Sequence, residues 1–133
     1  MTLLDIDPAA AAPIWRQIED GMRRMVVSGT LATGVSVPSV RDLARELGVN
    51  PATVSKAYQR LTASGVLEVR RGEGTFVASR PAATVSAERR VLLEVEARRF
   101  AEAARDLGAD RDEAFSALTR ALQRSDELSG GDR

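Results

Sequence analysis

"SVRDLARELGVNPATVSKAYQRL" (Ser39–Leu61) reads as two short helices joined by a tight turn, with each start and stop signal in place. Val40, Leu43, Ala44 and Leu47 recur at i, i+3, i+4 and i+7, giving one apolar stripe opposite Arg41, Asp42, Arg45 and Glu46. Ser39 is a natural N-cap. Its hydroxyl can accept from a free N–H of the first turn, Asp42 suits the positive helix end, and Gly48 permits the left-handed residue that stops the helix. The spacing predicts a first helix of about nine residues.

In the second helix Asn50 caps, Pro51 fits the first helical position because no N–H is needed there, and Val54, Ala57, Tyr58 and Leu61 form the core stripe. The opposite face carries Ala52, Ser55, Lys56 and Gln59, flanked by Thr53 and Arg60, and holds no acid. Such a face suits a DNA major groove, where lysine reaches guanine acceptors, glutamine pairs with adenine, and small residues allow close approach. A merely solvated face is the competing reading for a lone helix.

Three further features bear on that choice. Downstream, "GVLEVRRGEGTFVAS" (Gly65–Ser79) holds two β-rich runs, Val66–Val69 and Thr75–Val77, around a glycine-bearing turn with Arg70 and Arg71 at its tip. A helical pair followed by a basic hairpin is a winged helix-turn-helix, in which the second helix enters the major groove and the wing meets phosphates or the minor groove. Upstream, "PIWRQIEDGMRRMVVSG" (Pro13–Gly29) places Trp15, Ile18, Met22 and Met25 at helical spacing and supplies a third helix, with Trp15 expected in the core. Gly21 inside that helix costs about 1 kcal/mol relative to alanine, and nothing in the sequence explains it.

The third feature is a resemblance. "PSVR", "VNPATVSKAY" and "RRGEGTFV", in this order between Pro13 and Ala78, closely resemble the DNA-binding domain of GntR-family bacterial transcription regulators. With only a short helical tail following, the chain is similar to the YtrA-type subfamily. The resemblance implies a homodimeric regulator, a repressor by expectation, that binds a pseudo-palindromic DNA operator. It places the family's arginine contact on Arg41, beside Ser39, its recognition-helix cap on Asn50, and its wing contacts on Arg71 and Gly72. Pro51 and Ser55 stand where many members carry arginines, and Val35 where an acid is common. The expected DNA-binding set is therefore Ser39, Arg41, Asn50, Ala52, Thr53, Ser55, Lys56, Gln59, Arg70, Arg71 and Gly72, with Lys56 and Gln59 carrying more of the base readout.

The 133 residues suffice for one modest domain with an appendage. The absence of both cysteine and histidine excludes disulfides and the usual zinc and nucleophile constellations. No catalytic residues, metal site or cofactor are implied, and "RRGEG" lacks the lysine and hydroxyl ending of a phosphate loop. No apolar run is long enough to span a bilayer and "MTLLDIDPAAAA" lacks a basic flank, so a cytoplasmic protein is expected. Net charge is zero, but Pro38–Arg80 carries seven basic residues against four acidic, while the residues from Pro81 onward carry nine against eleven. Placement matters more than the sum, because only charges that reach phosphates release counterions.

The expected organisation is mainly α (α+β): a winged helix-turn-helix domain over residues 1–80, with recognition helix 50–63 and wing 66–78, and a helical dimerisation tail over 81–133. After a connector at Ser79–Ala87, a helix from about Ser86 to Leu107 carries Leu93, Ala97, Phe100, Ala104 and Leu107 in steps of four and three. Gly108 ends it, Asp110 with Glu113 opens another helix, and Phe115, Leu118 and Leu122 line that helix before "LSGGDR" frays. Two helices of this size cannot bury such seams alone. They pack either on the winged helix or, as a palindrome reader requires, on a second copy. The arginine pairs Arg89–Arg90 and Arg98–Arg99 either meet Glu94, Glu96 and Glu102 or face an anion between subunits; no effector is identifiable. The rival reading of function is a winged-helix module that binds protein through the same helix.

Overall fold

The computed structural model describes residues 3–131. Its elements run α1 (Ile14–Val27), α2 (Val40–Leu47), α3 (Pro51–Ala63), β1 (Leu67–Arg70), β2 (Gly74–Val77), α4 (Ala82–Asp106) and α5 (Arg111–Gly130). The fold is the expected one, mainly helical with a small two-stranded sheet. The chain divides into two compact units, Met1–Arg89 and Arg90–Arg133.

The first unit forms because three amphipathic helices turn their stripes to one centre. Ile18 and Met22 of α1, Leu43 and Ala44 of α2, and Val54, Ala57, Tyr58 and Leu61 of α3 are all buried, and Val66, Leu67 and Val77 close the core from the hairpin. Each large aliphatic side chain so covered contributes about 1.5–3 kcal/mol. β1 pairs antiparallel with β2, Leu67 opposite Val77 and Arg70 opposite Gly74. Arg71, Gly72 and Glu73 form the loop between them, where Gly72 takes φ +80° and the Glu73 N–H donates to the Arg70 carbonyl. The other edge of β2 is occupied as well: Val37 N–H donates to Thr75 O and Val77 N–H to Val35 O, each at 2.9 Å.

An N-terminal arm completes this core. Leu4 is buried, Leu3 and Ile6 pack beside it, and Gln17 ties the arm down by accepting from Asp7 N–H at 2.8 Å and donating to Asp7 O at 2.9 Å. The arm explains Gly21. A Cβ there would come within 2.9 Å of Leu4 Cδ2, so the missing side chain is the space that Leu4 fills.

Three expectations need correction. Trp15 is half-buried rather than a core residue, because it stands in the first turn of α1 where charged side chains, not apolar ones, lie over its ring. α4 begins at Ala82, not near Ser86: the Pro81 carbonyl accepts from Thr84 and Val85 N–H, which shortens the connector to Ser79–Pro81. α5 continues through Leu128–Gly130, where fraying was expected; Asp132 and Arg133 of that stretch lie outside the described residues.

In the second unit α4 ends as expected. Gly108 adopts φ +74° and the Ala109 N–H returns to Ala104 O at 2.9 Å. Asp110 caps α5 by accepting from Glu113 N–H at 2.9 Å. No residue of α4 or α5 is fully buried.

Candidate nucleic-acid interface

α3 is fixed at its N-terminus and along its buried stripe. Asn50 Oδ1 accepts from Ala52 N–H at 2.9 Å, while Tyr58, on the buried stripe, donates its hydroxyl to Pro38 O at 2.6 Å and so pins α3 to the segment entering α2. Burial, reinforced by the Glu46 carboxylate, pushes the Tyr58 hydroxyl above the ordinary phenol range, so it stays a neutral donor. Ser39 Oγ accepts from Asp42 N–H at 3.1 Å, and Gly48 turns at φ +68° between the helices.

With the core stripe taken up, Ala52, Lys56 and Gln59 of α3 are exposed and Thr53 and Ser55 half-exposed. Gln59 Nε2 donates to Ser55 Oγ at 3.3 Å, so the two lie side by side on that face. Lys56 behaves differently: its ammonium lies 4.3 Å from the centroid of the Trp15 ring. Arg41 on α2 and Arg71 at the hairpin tip are exposed and make no hydrogen bond or ion pair among the described residues. Arg70 is more constrained, donating from Nε and Nη2 to Glu68 Oε1 at 2.9 and 2.7 Å while stacking 4.1 Å from the Phe76 ring centroid. Gly72 is exposed in the loop beside Arg71.

Sequence reasoning missed the ionic framework behind this face. Glu19 of α1 is buried and receives Arg60 Nε of α3 at 2.8 Å and Arg23 Nη2 at 3.2 Å. Glu88, in the second turn of α4, receives Arg23 at 2.7 Å and also Arg80. Arg89 donates to the Val27 carbonyl at the C-terminus of α1, at 3.0 Å. The one signal in the sequence was the stripe position of Glu19, directly after Ile18, where an unpaired acid would be costly.

In the second unit Leu93, Ala97, Phe100, Ala104, Phe115 and Leu118 line an open apolar groove of about 980 Å³ between α4 and α5. Leu107 and Leu122 lie outside that lining and are 85% and 58% exposed. Arg99 pairs with Glu96 at 3.2 Å. Among the described residues no helix is long and apolar enough to cross a membrane.

Residues 15–77 match the family described as "Bacterial regulatory proteins, gntR family". The chain is 39% identical over 83 residues to the HTH-type transcriptional repressor YtrA of Bacillus subtilis, an alignment taking in 62% of this chain and 64% of that protein. It is 34% identical to the HTH-type transcriptional regulator Rv1152 of Mycobacterium tuberculosis, over 87% of this chain and 91% of the relative. The crystal structure of a transcriptional antiterminator from Listeria monocytogenes superposes with a TM-score of 0.67 at 31% identity, covering 97% of this chain and 94% of that one. Helical pair, basic hairpin and likeness agree: the chain belongs to the GntR family of bacterial regulatory proteins and is a DNA-binding transcriptional regulator.

Proposed function

We propose that two copies of the chain bind a pseudo-palindromic operator, each placing α3 in a major groove and its hairpin tip on the backbone or minor groove, with repression as the outcome. One observation carries this reading: the exposed, acid-free face of α3 lies on the same small unit as Arg41 and Arg71, two arginines without a protein partner among the described residues. Ala52, Thr53, Ser55, Lys56 and Gln59 form the surface that enters the groove, Ser39 and Asn50 sit at the helix ends nearest the backbone, and Arg41, Arg70, Arg71 and Gly72 approach phosphates. A lone copy would read only half of a palindrome, so the exposed seam of Leu93, Ala97, Phe100, Ala104, Leu107, Phe115, Leu118 and Leu122 is assigned to the second copy. Support comes from its exposure, 66% at Leu93 and 64% at Phe115.

The protein is read as a regulator without catalysis of its own, acting in the cytoplasm where the duplex is. Its buried Glu19 and half-buried Glu88 are committed to arginines. Selection of bound sequences from a random duplex pool, followed by salt titration on the selected site, tests the proposal. Four to six phosphate contacts from the arginines of two subunits give a slope of log affinity against log salt between about −3.5 and −5.5, at roughly −0.9 each. A slope near zero, or binding to a protein surface only, overturns it.

A further inference from the structure

Trp15 is the only tryptophan in the chain, and three cations converge on its ring. Lys56 Nζ lies 4.3 Å from the centroid, Arg60 Cζ 4.9 Å and Arg16 Cζ 5.5 Å. An indole face attracts a cation within about 6 Å. Lys56 and Arg60 are neighbours one turn apart on α3 and Arg16 comes from α1, so the ring brings charges of two helices together on the α1 side of the recognition helix. Of the three, Arg60 is offset by a carboxylate, Glu19 at 2.8 Å. Arg16 and Lys56 have no carboxylate within ion-pair distance among the described residues. The cluster therefore keeps an excess of positive charge on an exposed surface. The ammonium still has N–H donors to give, because the ring occupies only one side of it.

We infer that Trp15, Arg16 and Lys56 form a phosphate-binding seat at the edge of the reading face, with Trp15 as the positioning residue. Lys56 then contacts the DNA backbone, not a base edge, and base recognition falls to Ser55 and Gln59, which meet in the middle of the exposed face. The inference rests on the DNA reading above and refines it. A phosphate contact fixes register and carries no sequence information, so its loss weakens all duplexes alike.

The test uses the full chain and a labelled duplex carrying the selected site, with an unrelated duplex beside it. Lys56→Met keeps the aliphatic stem and removes the charge. It is expected to lower affinity for both duplexes by the same factor and leave the selected sequence unchanged. It should also make the salt slope shallower by about 1.8, one phosphate per subunit, so that the loss at 50 mM salt exceeds that at 200 mM by about tenfold. Relaxed preference at one base pair with an unchanged slope overturns the assignment. Trp15→Leu is expected to reproduce the Lys56→Met slope while Trp15→Phe, which keeps a ring face, restores the native one; native slopes in both variants overturn the positioning role. Where a variant fails to fold, the native protein supplies the readout: saturating duplex should change Trp15 emission and salt should reverse the change, whereas constant emission overturns the seat. Native protein that binds no duplex in a salt-dependent way overturns the DNA reading itself, an outcome distinct from native binding with the wrong variant pattern.

Discussion

The Glu88 carboxylate stands 2.7 Å from Nη1 of Arg23, joining α4 to α1, and accepts from Arg80 with its other oxygen. Burial opposes ionisation of this carboxyl, but the hydrogen bonds from Arg23 and Arg80 together outweigh it and hold Glu88 below the ordinary glutamate value of 4.5. Burial likewise disfavours the Arg23 charge, and Glu88 and Glu19 reverse that, raising its pKa.

Glu88→Gln should therefore reveal a stability component that depends on pH. A depressed folded pKa contributes fully above the unfolded value and is lost as pH falls through the folded one. At pH 7 the substitution is expected to cost about 2 kcal/mol, with two partly buried arginines left short of charge. Urea unfolding at pH 7 and at progressively lower pH below about 4.5 should show native and variant stabilities converging. A constant difference across that range would mean that Glu88 acts by packing alone.

Leu4 and Gly21 should be coupled. Gly21→Ala gains about 1 kcal/mol of helix propensity and must push aside the end of the Leu4 side chain, so the net change should stay within about 1 kcal/mol. Leu4→Ala should cost about 2–3 kcal/mol. In the Leu4→Ala background nothing opposes the new methyl group, and Gly21→Ala should stabilise by about 1 kcal/mol. A double-mutant cycle from urea unfolding measures this coupling, and strict additivity would contradict the packing of the arm against α1.

Substitutions on the reading face and at the wing tip should separate by kind. Gln59→Ala should relax preference at a particular base pair by about 1–3 kcal/mol, whereas Arg71→Ala should weaken every duplex alike and reduce the salt slope. Repeating the pool selection with each variant distinguishes the two. An unchanged motif with Gln59→Ala would remove that residue from base readout.

A chain ending at Arg89 should be a folded monomer, because the helical triplet, hairpin and arm close their own core, and it should lose tight operator binding with its second copy. A chain ending at Arg80 also loses Glu88 and Arg89, and should be less stable by about 2 kcal/mol. Phe100→Asp in the full chain should imitate the monomer by placing a charge on the apolar groove. Sedimentation measures all three, and a dimeric fragment ending at Arg89 would move the interface into the first unit.

The parts of the molecule legible in the sequence are those set by near neighbours. Ser39, Gly48 and Asn50 act within two or three residues of themselves, so the caps and turn of α2 and α3 could be read directly, and the exposed face of α3 followed from its core stripe. The contacts that organise the surface join distant positions: Arg60 reaches Glu19 across 41 residues and Arg23 reaches Glu88 across 65. Helical periodicity has no term for such pairs. Trp15 was misplaced for a related reason. Its spacing put it on the buried stripe, yet a residue in the first turn of a helix is covered only if another element passes over it, and here cations from α3 do so instead of apolar side chains. Gly21 was a visible anomaly, and only the position of Leu4 explains it.

Eighteen of the nineteen basic side chains are arginine, which leaves Lys56 as the only lysine, and its amine lies against the only tryptophan. An amine-directed acylating reagent therefore has one side-chain target in the whole chain, and attachment of a single acyl group removes the nearest of the three charges facing the indole. The modification is announced by an emission change from the ring it was stacked upon, so one covalent event on α3 can be followed optically without adding a label.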